Sequence, residues 1–278
     1  MSYANQDVDD PTLHLPRILC LHGGGTNAKI FRAQCRGLIN QLQLEFRLVF
    51  AEGPFVSEAG PEVTTVYRNW GPFKRWFRWR PEHPETTQAD AMRAIDESLE
   101  EARLRDTQSG ATGEWMAILG FSQGAKLCAS LLYRQQVCKE KEKLGRGFAA
   151  SNYRFGVILA GRAPLISLES EPDSWLDPGR SALPDASQIT DVNWRSWSTS
   201  QSNNGALLRI PSLHVHGMRD PGLLLHSQLF QEFCEPSSRI LVQWDGDHRV
   251  PLKSNDVFPL VQHIRELARD SCRKGPQS

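Results

Sequence analysis

The sequence predicts an α/β fold with a mostly parallel central sheet and helices on both faces. Two observations carry the prediction. Apolar runs of four to seven residues alternate with longer segments of helical periodicity. Two of those runs, Arg17–Leu21 and Trp115–Phe121, lead into glycine-bearing turns followed by a helical pattern. The 278 residues suffice for one large domain, and 40% apolar with 23% charged residues argues against disorder. The expected organisation is a single domain over 1–278 with two insertions.

Arg17–Leu21 (RILCL) reads as the first strand, closed by His22-Gly-Gly-Gly25, and 28–44 reads as a helix. A second strand at 47–50 ends at Ala51-Glu-Gly-Pro54. The strongest amphipathic helix is 87–105. Ala91, Ile95, Leu99 and Ala102 share a face there, and Thr87-Gln-Ala-Asp90 provides a capping start. Trp115–Phe121 (WMAILGF) reads as a buried strand, with a helix over 123–136. Strands follow at 155–160, 211–216 and Arg239–Trp244, and helices at 223–233 and 256–269.

Two stretches break the alternation. Segment 64–84 is rich in Trp, Arg and Pro, and 162–209 is weakly periodic and carries Trp175, Trp194 and Trp197. Insertions of this length without secondary structure are expected to serve as lids or binding loops.

The 32 basic and 32 acidic residues cancel, which excludes whole-surface attraction to nucleic acid or to an anionic membrane. The balance is local, however. Segment 68–80 holds five basic residues and no acid, whereas 165–191 holds six acids and one Arg. No apolar run approaches the roughly 20 residues that span a bilayer. The first ten residues are polar and acidic, unlike a secretory signal. Six scattered cysteines (20, 35, 128, 138, 234, 272) lack CxxC spacing and read as reduced thiols, so the expected location is cytoplasmic.

Gly120-Phe-Ser-Gln-Gly124 fits G-x-S-x-G between a predicted strand and a predicted helix. A sharp strand-to-helix turn flanked by glycines lifts a serine hydroxyl clear of the sheet. Ser122 is therefore the candidate nucleophile. The Gln123 N–H, at a helix N-terminus, is a candidate oxyanion donor. Serine needs a base. His248, in Asp245-Gly-Asp-His-Arg-Val-Pro251 after the last strand, is placed to act as one. Asp220 follows strand 211–216, and the order Ser122, Asp220, His248 suits a serine hydrolase of this topology. Asp245 and Asp247 compete for the acid's role but lie too close in sequence to reach behind the imidazole. His214 and His216 share a strand face, which would suit a metal pair, but no third ligand accompanies them. Core packing is the favoured reading and no metal is expected.

The turn His22-Gly-Gly-Gly25 has two readings. Gly24 could donate a second N–H to an oxyanion hole. Alternatively, Gly23–Ala28 fits a G-x-G-x-x-G/A dinucleotide turn, with Glu52 placed to hold a ribose. The first reading uses Ser122, Asp220 and His248 as well, and the second leaves them as coincidences.

The ordered set resembles the fungal serine hydrolase (FSH) family. The matching pieces are Leu19–Asn27, Phe50–Pro54, Gly120–Ala125, Ile210–Gly217 with Asp220, and His248–Pro251. The resemblance implies an α/β-hydrolase fold with lid or cap insertions. It also implies a cofactor-free esterase or thioesterase with a Ser–Asp–His triad, acting on a small-molecule ester or thioester. Some members in fungal biosynthetic clusters release a polyketide from the acyl-carrier domain of its synthase. Asp247 departs from the Gly that often precedes the catalytic His in this family. A general short-chain carboxylesterase is the alternative within the class, and the same triad could serve cyclisation instead of hydrolysis.

In segment 68–80, Trp70, Trp76 and Trp79 are candidate substrate-binding residues, bordering the site and holding an apolar acyl chain. Its cations could meet an acidic carrier domain or a phosphopantetheine phosphate. The competing reading is a surface loop pinned by Trp packing and Arg–indole stacking.

Overall fold

The computed structural model describes residues 10–61, 63–143, 151–169, 183–189 and 207–273. Its central sheet has the order β2-β1-β5-β6-β7-β8, and every neighbouring pair runs parallel. The strands are β1 Arg17–Leu21, β2 Arg47–Ala51, β5 Trp115–Phe121, β6 Phe155–Leu159, β7 Ser212–Gly217 and β8 Arg239–Trp244. These are the six predicted strands, within one residue at each end. Four of them are buried at nearly every position, as expected of parallel strands covered on both faces.

Alternate residues of each strand feed two cores. Leu19, Leu21 and Ile118 face Ile95, Leu99 and Ala102 of α3 (Gln88–Gln108) and Leu127 and Leu131 of α4 (Gln123–Lys143). Ile18, Cys20 and Leu119 face the opposite layer. That layer is built by α1 (Ala28–Gln34), α2 (Arg36–Leu42) and the C-terminal helix Ser254–Arg273, through Phe31, Leu38, Val257, Val261 and Ile264. One more helix, α5 (Leu223–Glu232), adds Leu229 to the first layer, and the C-terminal helix is α6.

The helix expected over 28–44 is two helices. Cys35 leaves helical geometry at φ −83°, ψ 8°, and the change of direction lets Phe31 and Leu38 both reach the core. Helix α3 starts as predicted. Thr87 Oγ1 accepts the Asp90 N–H at 3.1 Å and donates to its carboxylate at 2.7 Å. Helix α4 runs seven residues past its predicted end, through a charged stretch with no apolar periodicity to announce it.

Segment 64–84 is not devoid of secondary structure. Phe73–Arg75 (β4) pairs antiparallel with Phe55–Ser57 (β3). Most of the second expected insertion, including Trp175, Trp194 and Trp197, lies outside the described residues. Among the described residues no helix is long and apolar enough to cross a membrane.

The strand order creates the site. From β1 the chain moves to β2 on one side, then returns to β5 on the other. In open parallel sheets, ligands bind at the strands' carboxyl ends where the order reverses. That switch point lies between His22 after β1 and Ser122 after β5.

Candidate active site

Ser122 sits at the tip of the turn between β5 and α4, at φ 53°. This left-handed conformation costs a non-glycine residue about 1–3 kcal/mol and persists only when its surroundings impose it. Here they do. The Ser122 N–H donates to Leu159 O at 2.9 Å, and Ser122 O accepts the Ala125 N–H at 3.0 Å as α4 begins. The flanking glycines admit the turn. A Cβ on Gly120 would lie 2.1 Å from Gly124 O, and one on Gly124 would lie 2.2 Å from Leu21 O. Both obstacles are backbone and cannot move aside. Gly124→Ala is therefore expected to destabilise the protein by about 1–3 kcal/mol or more, read as a lowered midpoint in urea. An unchanged midpoint would contradict the tight elbow.

Three side chains meet above this turn. His248 Nε2 is 2.9 Å from Ser122 Oγ, and His248 Nδ1 is 2.6 Å from Asp220 Oδ2. With Asp220 ionised, Nδ1–H donates to the carboxylate and the Nε2 lone pair accepts the serine hydroxyl. The Asp220 side chain is fully buried, and its Oδ1 accepts the Gly222 N–H at 2.7 Å. Burial is the strongest influence on this carboxyl and pushes its pKa up. The His248 hydrogen bond and charge, with the Gly222 N–H, outweigh burial and hold the pKa below the ordinary carboxylate value. The competing acids point elsewhere. Asp245 is exposed and pairs with Arg219 at 3.2 Å, and Asp247 pairs with Arg249 at 3.4 Å.

Gly24 and Gln123 line the same cavity as Ser122 and His248. Two side chains that hold the surrounding turns together escaped the sequence reading. The first is the Gln123 side chain, whose Oε1 accepts the Trp76 N–H at 2.8 Å and whose Nε2 donates to Phe77 O at 3.0 Å. It fastens the serine turn to the strand end after β4. The second is His22, fully buried. Its Nε2 accepts the Gly53 N–H at 2.8 Å, so its ring proton is on Nδ1, donated to Gly23 O at 2.8 Å. His22 thereby ties the glycine turn after β1 to the end of β2. Its place at the head of the Gly-Gly-Gly run was the available signal.

The three tryptophans divide. Trp79 lines the cavity. Trp76 does not: it is fully buried, with Nε1 donating to His22 O at 2.8 Å, and belongs to the core. Trp70 is also absent from the cavity wall. It lies at the surface, against Tyr67 and with the Lys29 ammonium 4.6 Å from its ring. The remaining apolar walls come from Phe77, Phe121 and Val63, and Arg78, Lys126 and Arg162 bring positive charge.

His214 and His216 are buried in β7 as the packing reading expects. His214 Nε2 lies 3.1 Å from Ser212 Oγ, and both rings pack edge-on against Phe230. Burial pushes the His216 imidazole down to about 4. Among the described residues, the group of three that approaches metal-ligand spacing is Asp220, His226 and His248.

The dinucleotide turn is closed. Gly25 N–H donates to Lys74 O at 2.9 Å, and Asn27 Oδ1 caps α1 on the Ile30 N–H at 2.8 Å. The Glu52 carboxylate stands 3.4 Å from the Ala28 N–H. An acid thus occupies the helix terminus where a pyrophosphate would sit.

Comparison with known proteins identifies the family. The family model described as Serine hydrolase (FSH1) matches residues 12–259. Esterase citA of Monascus ruber is 60% identical over 268 residues, covering 96% of this chain and 98% of that protein. Esterase claE of Penicillium crustosum is 59% identical over 264 residues, covering 95% and 97%. Among solved structures, protein Atu2452 of unknown function from Agrobacterium tumefaciens shares the fold. Its TM-score is 0.50 at 14% identity, covering 93% of this chain and 94% of that one.

Proposed function

Because the chain belongs to the serine hydrolase (FSH1) family and is an esterase-type hydrolase, we propose that it works through a Ser122–His248–Asp220 acyl-enzyme. The observation that carries the proposal is the unbroken chain of contacts at the switch point, 2.9 Å from Ser122 to His248 and 2.6 Å from His248 to Asp220.

His248 Nε2 takes the Ser122 proton as Oγ attacks the substrate carbonyl. Asp220 holds the imidazole in the tautomer that makes this possible and stabilises the imidazolium that results. The Gly24 and Gln123 N–H groups receive the developing oxyanion; one such donor contributes about 10²–10³-fold in kcat. Collapse expels the alcohol or thiol, which takes its proton from His248. Water then repeats the cycle on the acyl-enzyme. Asp247 has no part in the relay and serves as a partner of Arg249.

The substrate reading goes further: an ester or thioester of an extended acyl chain, delivered as a polyketide or similar acyl group by a carrier domain in secondary metabolism. The aromatic walls at Phe77, Trp79 and Phe121 suit such a chain, and Arg78, Lys126 and Arg162 suit an anionic carrier arm. The insertion at 64–84, which supplies Phe77, Arg78 and Trp79 to the cavity, would then act as part of a lid on one domain. The six free thiols fit a reducing cytoplasm.

The test compares acyl thioesters of a carrier domain, or of a small pantetheine-like thiol, with short-chain phenyl esters. The expected kcat/KM is about tenfold or more higher for the long-chain thioester, equivalent to about 1.4 kcal/mol of transition-state binding. A preference for the short esters would contradict the substrate reading and leave a general carboxylesterase.

A further inference from the structure

We propose that His226 is a positioning residue for this reaction: a second imidazole that steadies the Asp220 carboxylate while His248 carries the proton. The inference rests on the triad reading above. His226 lies on α5 and is fully buried. Its Nε2 is 3.7 Å from Asp220 Oδ2, the same oxygen that meets His248 Nδ1 at 2.6 Å. The two rings lie 6.2 Å apart and inclined by 31°, so one carboxylate oxygen is bracketed by two imidazoles.

Neither His226 nitrogen has a hydrogen-bond partner among the described residues. A buried imidazole N–H left without an acceptor carries a desolvation penalty. Among the described residues, the anion beside it is Asp220. Asp220 Oδ1 is engaged by Gly222, and Oδ2 keeps a lone pair after His248 is served. With its proton on Nε2, His226 points its dipole at that lone pair. At 3.7 Å this is a charge–dipole contact, and a small shift of the carboxylate would make it a hydrogen bond.

Burial among the groups that face His226 keeps it neutral. These groups are Asp220 from the loop after β7, His216 on β7 at 5.5 Å between ring centres, His248 after β8, and Arg162 after β6. Burial lowers its pKa most. Asp220 opposes the fall, and His216, His248 and Arg162 deepen it. His226 is therefore a neutral donor, which favours ionised Asp220 without drawing it into a competing salt bridge.

The experiment uses His226→Phe, which keeps an aromatic ring and removes the N–H, and His226→Gln, which restores an N–H near the Nε2 position. The Phe variant is expected to lose about tenfold or more in kcat, the scale of a misaligned catalytic group, with KM changed by less than about twofold. The acid limb of kcat/KM should move to higher pH, because an Asp220 carboxylate that has lost this N–H is more basic and holds the protonated relay more strongly. The Gln variant should recover both. A folded Phe variant with wild-type kcat and pH profile, or a Gln variant no better than Phe, would overturn the proposal. If neither variant folds, the ¹⁵N histidine spectrum of the wild type decides: the proposal requires the His226 proton on Nε2, and a proton on Nδ1 overturns it. The triad reading fails separately, if wild-type Ser122 resists a fluorophosphonate.

Discussion

Ser122→Ala is expected to lower kcat for ester hydrolysis by about 10⁶-fold, the loss seen when a triad nucleophile is removed and only binding and oxyanion stabilisation remain. The substitution is chosen to leave the turn intact. Ser122 already holds φ 53° without being glycine, and alanine carries the same Cβ. Its hydroxyl meets His248 alone among the described residues, so its removal strips no structural hydrogen bond. Thermal stability should therefore stay close to wild type while activity disappears. A variant that retains hydrolysis within about tenfold would mean that another group, or a bound water, attacks the carbonyl.

Asp220→Asn should be the second most damaging change. The carboxylate fixes Nδ1 as the protonated nitrogen of His248 across 2.6 Å, leaving Nε2 free to accept from Ser122. An amide can present its N–H₂ instead, which stabilises the opposite tautomer and points a proton at Ser122. The expected loss in kcat is about 10⁴-fold. Asp245→Ala and Asp247→Ala, which remove exposed partners of Arg219 and Arg249, should change kcat by less than about threefold. Steady-state kinetics on the three variants rank the acids. A larger loss for Asp245 or Asp247 than for Asp220 would reassign the third member of the relay.

What the sequence made legible follows from where each signal resides. Parallel strands buried on both faces are nearly continuous apolar runs, so Arg17–Leu21 and Trp115–Phe121 could be read to the residue. The three candidate catalytic residues follow three different strands, and in a parallel sheet all those ends lie on one edge. Their order along the chain was therefore enough to bring them together on paper.

The misreadings have equally physical causes. Strands β3 and β4 are three residues each, too short for a period of two to register. The Cys35 break is a backbone conformation with no compositional mark. Trp76 and Trp79 are three residues apart in the same basic, aromatic stretch. One fills the core because its indole N–H finds His22 O, 54 residues away, and the other faces the cavity. His226 lies six residues beyond Asp220, and only the turn into α5 brings its ring onto the carboxylate.

Ser122 Oγ is the atom expected to become acylated. Mapping the adduct tests this most directly. The protein is treated with a fluorophosphonate, or trapped with a slowly hydrolysed acyl ester, then digested and sequenced by tandem mass spectrometry. One stoichiometric modification is expected, on the peptide containing Gly120-Phe-Ser-Gln-Gly124 and localised to Ser122, absent from Ser122→Ala. Modification at another residue, or equal labelling of wild type and Ser122→Ala, would contradict that expectation.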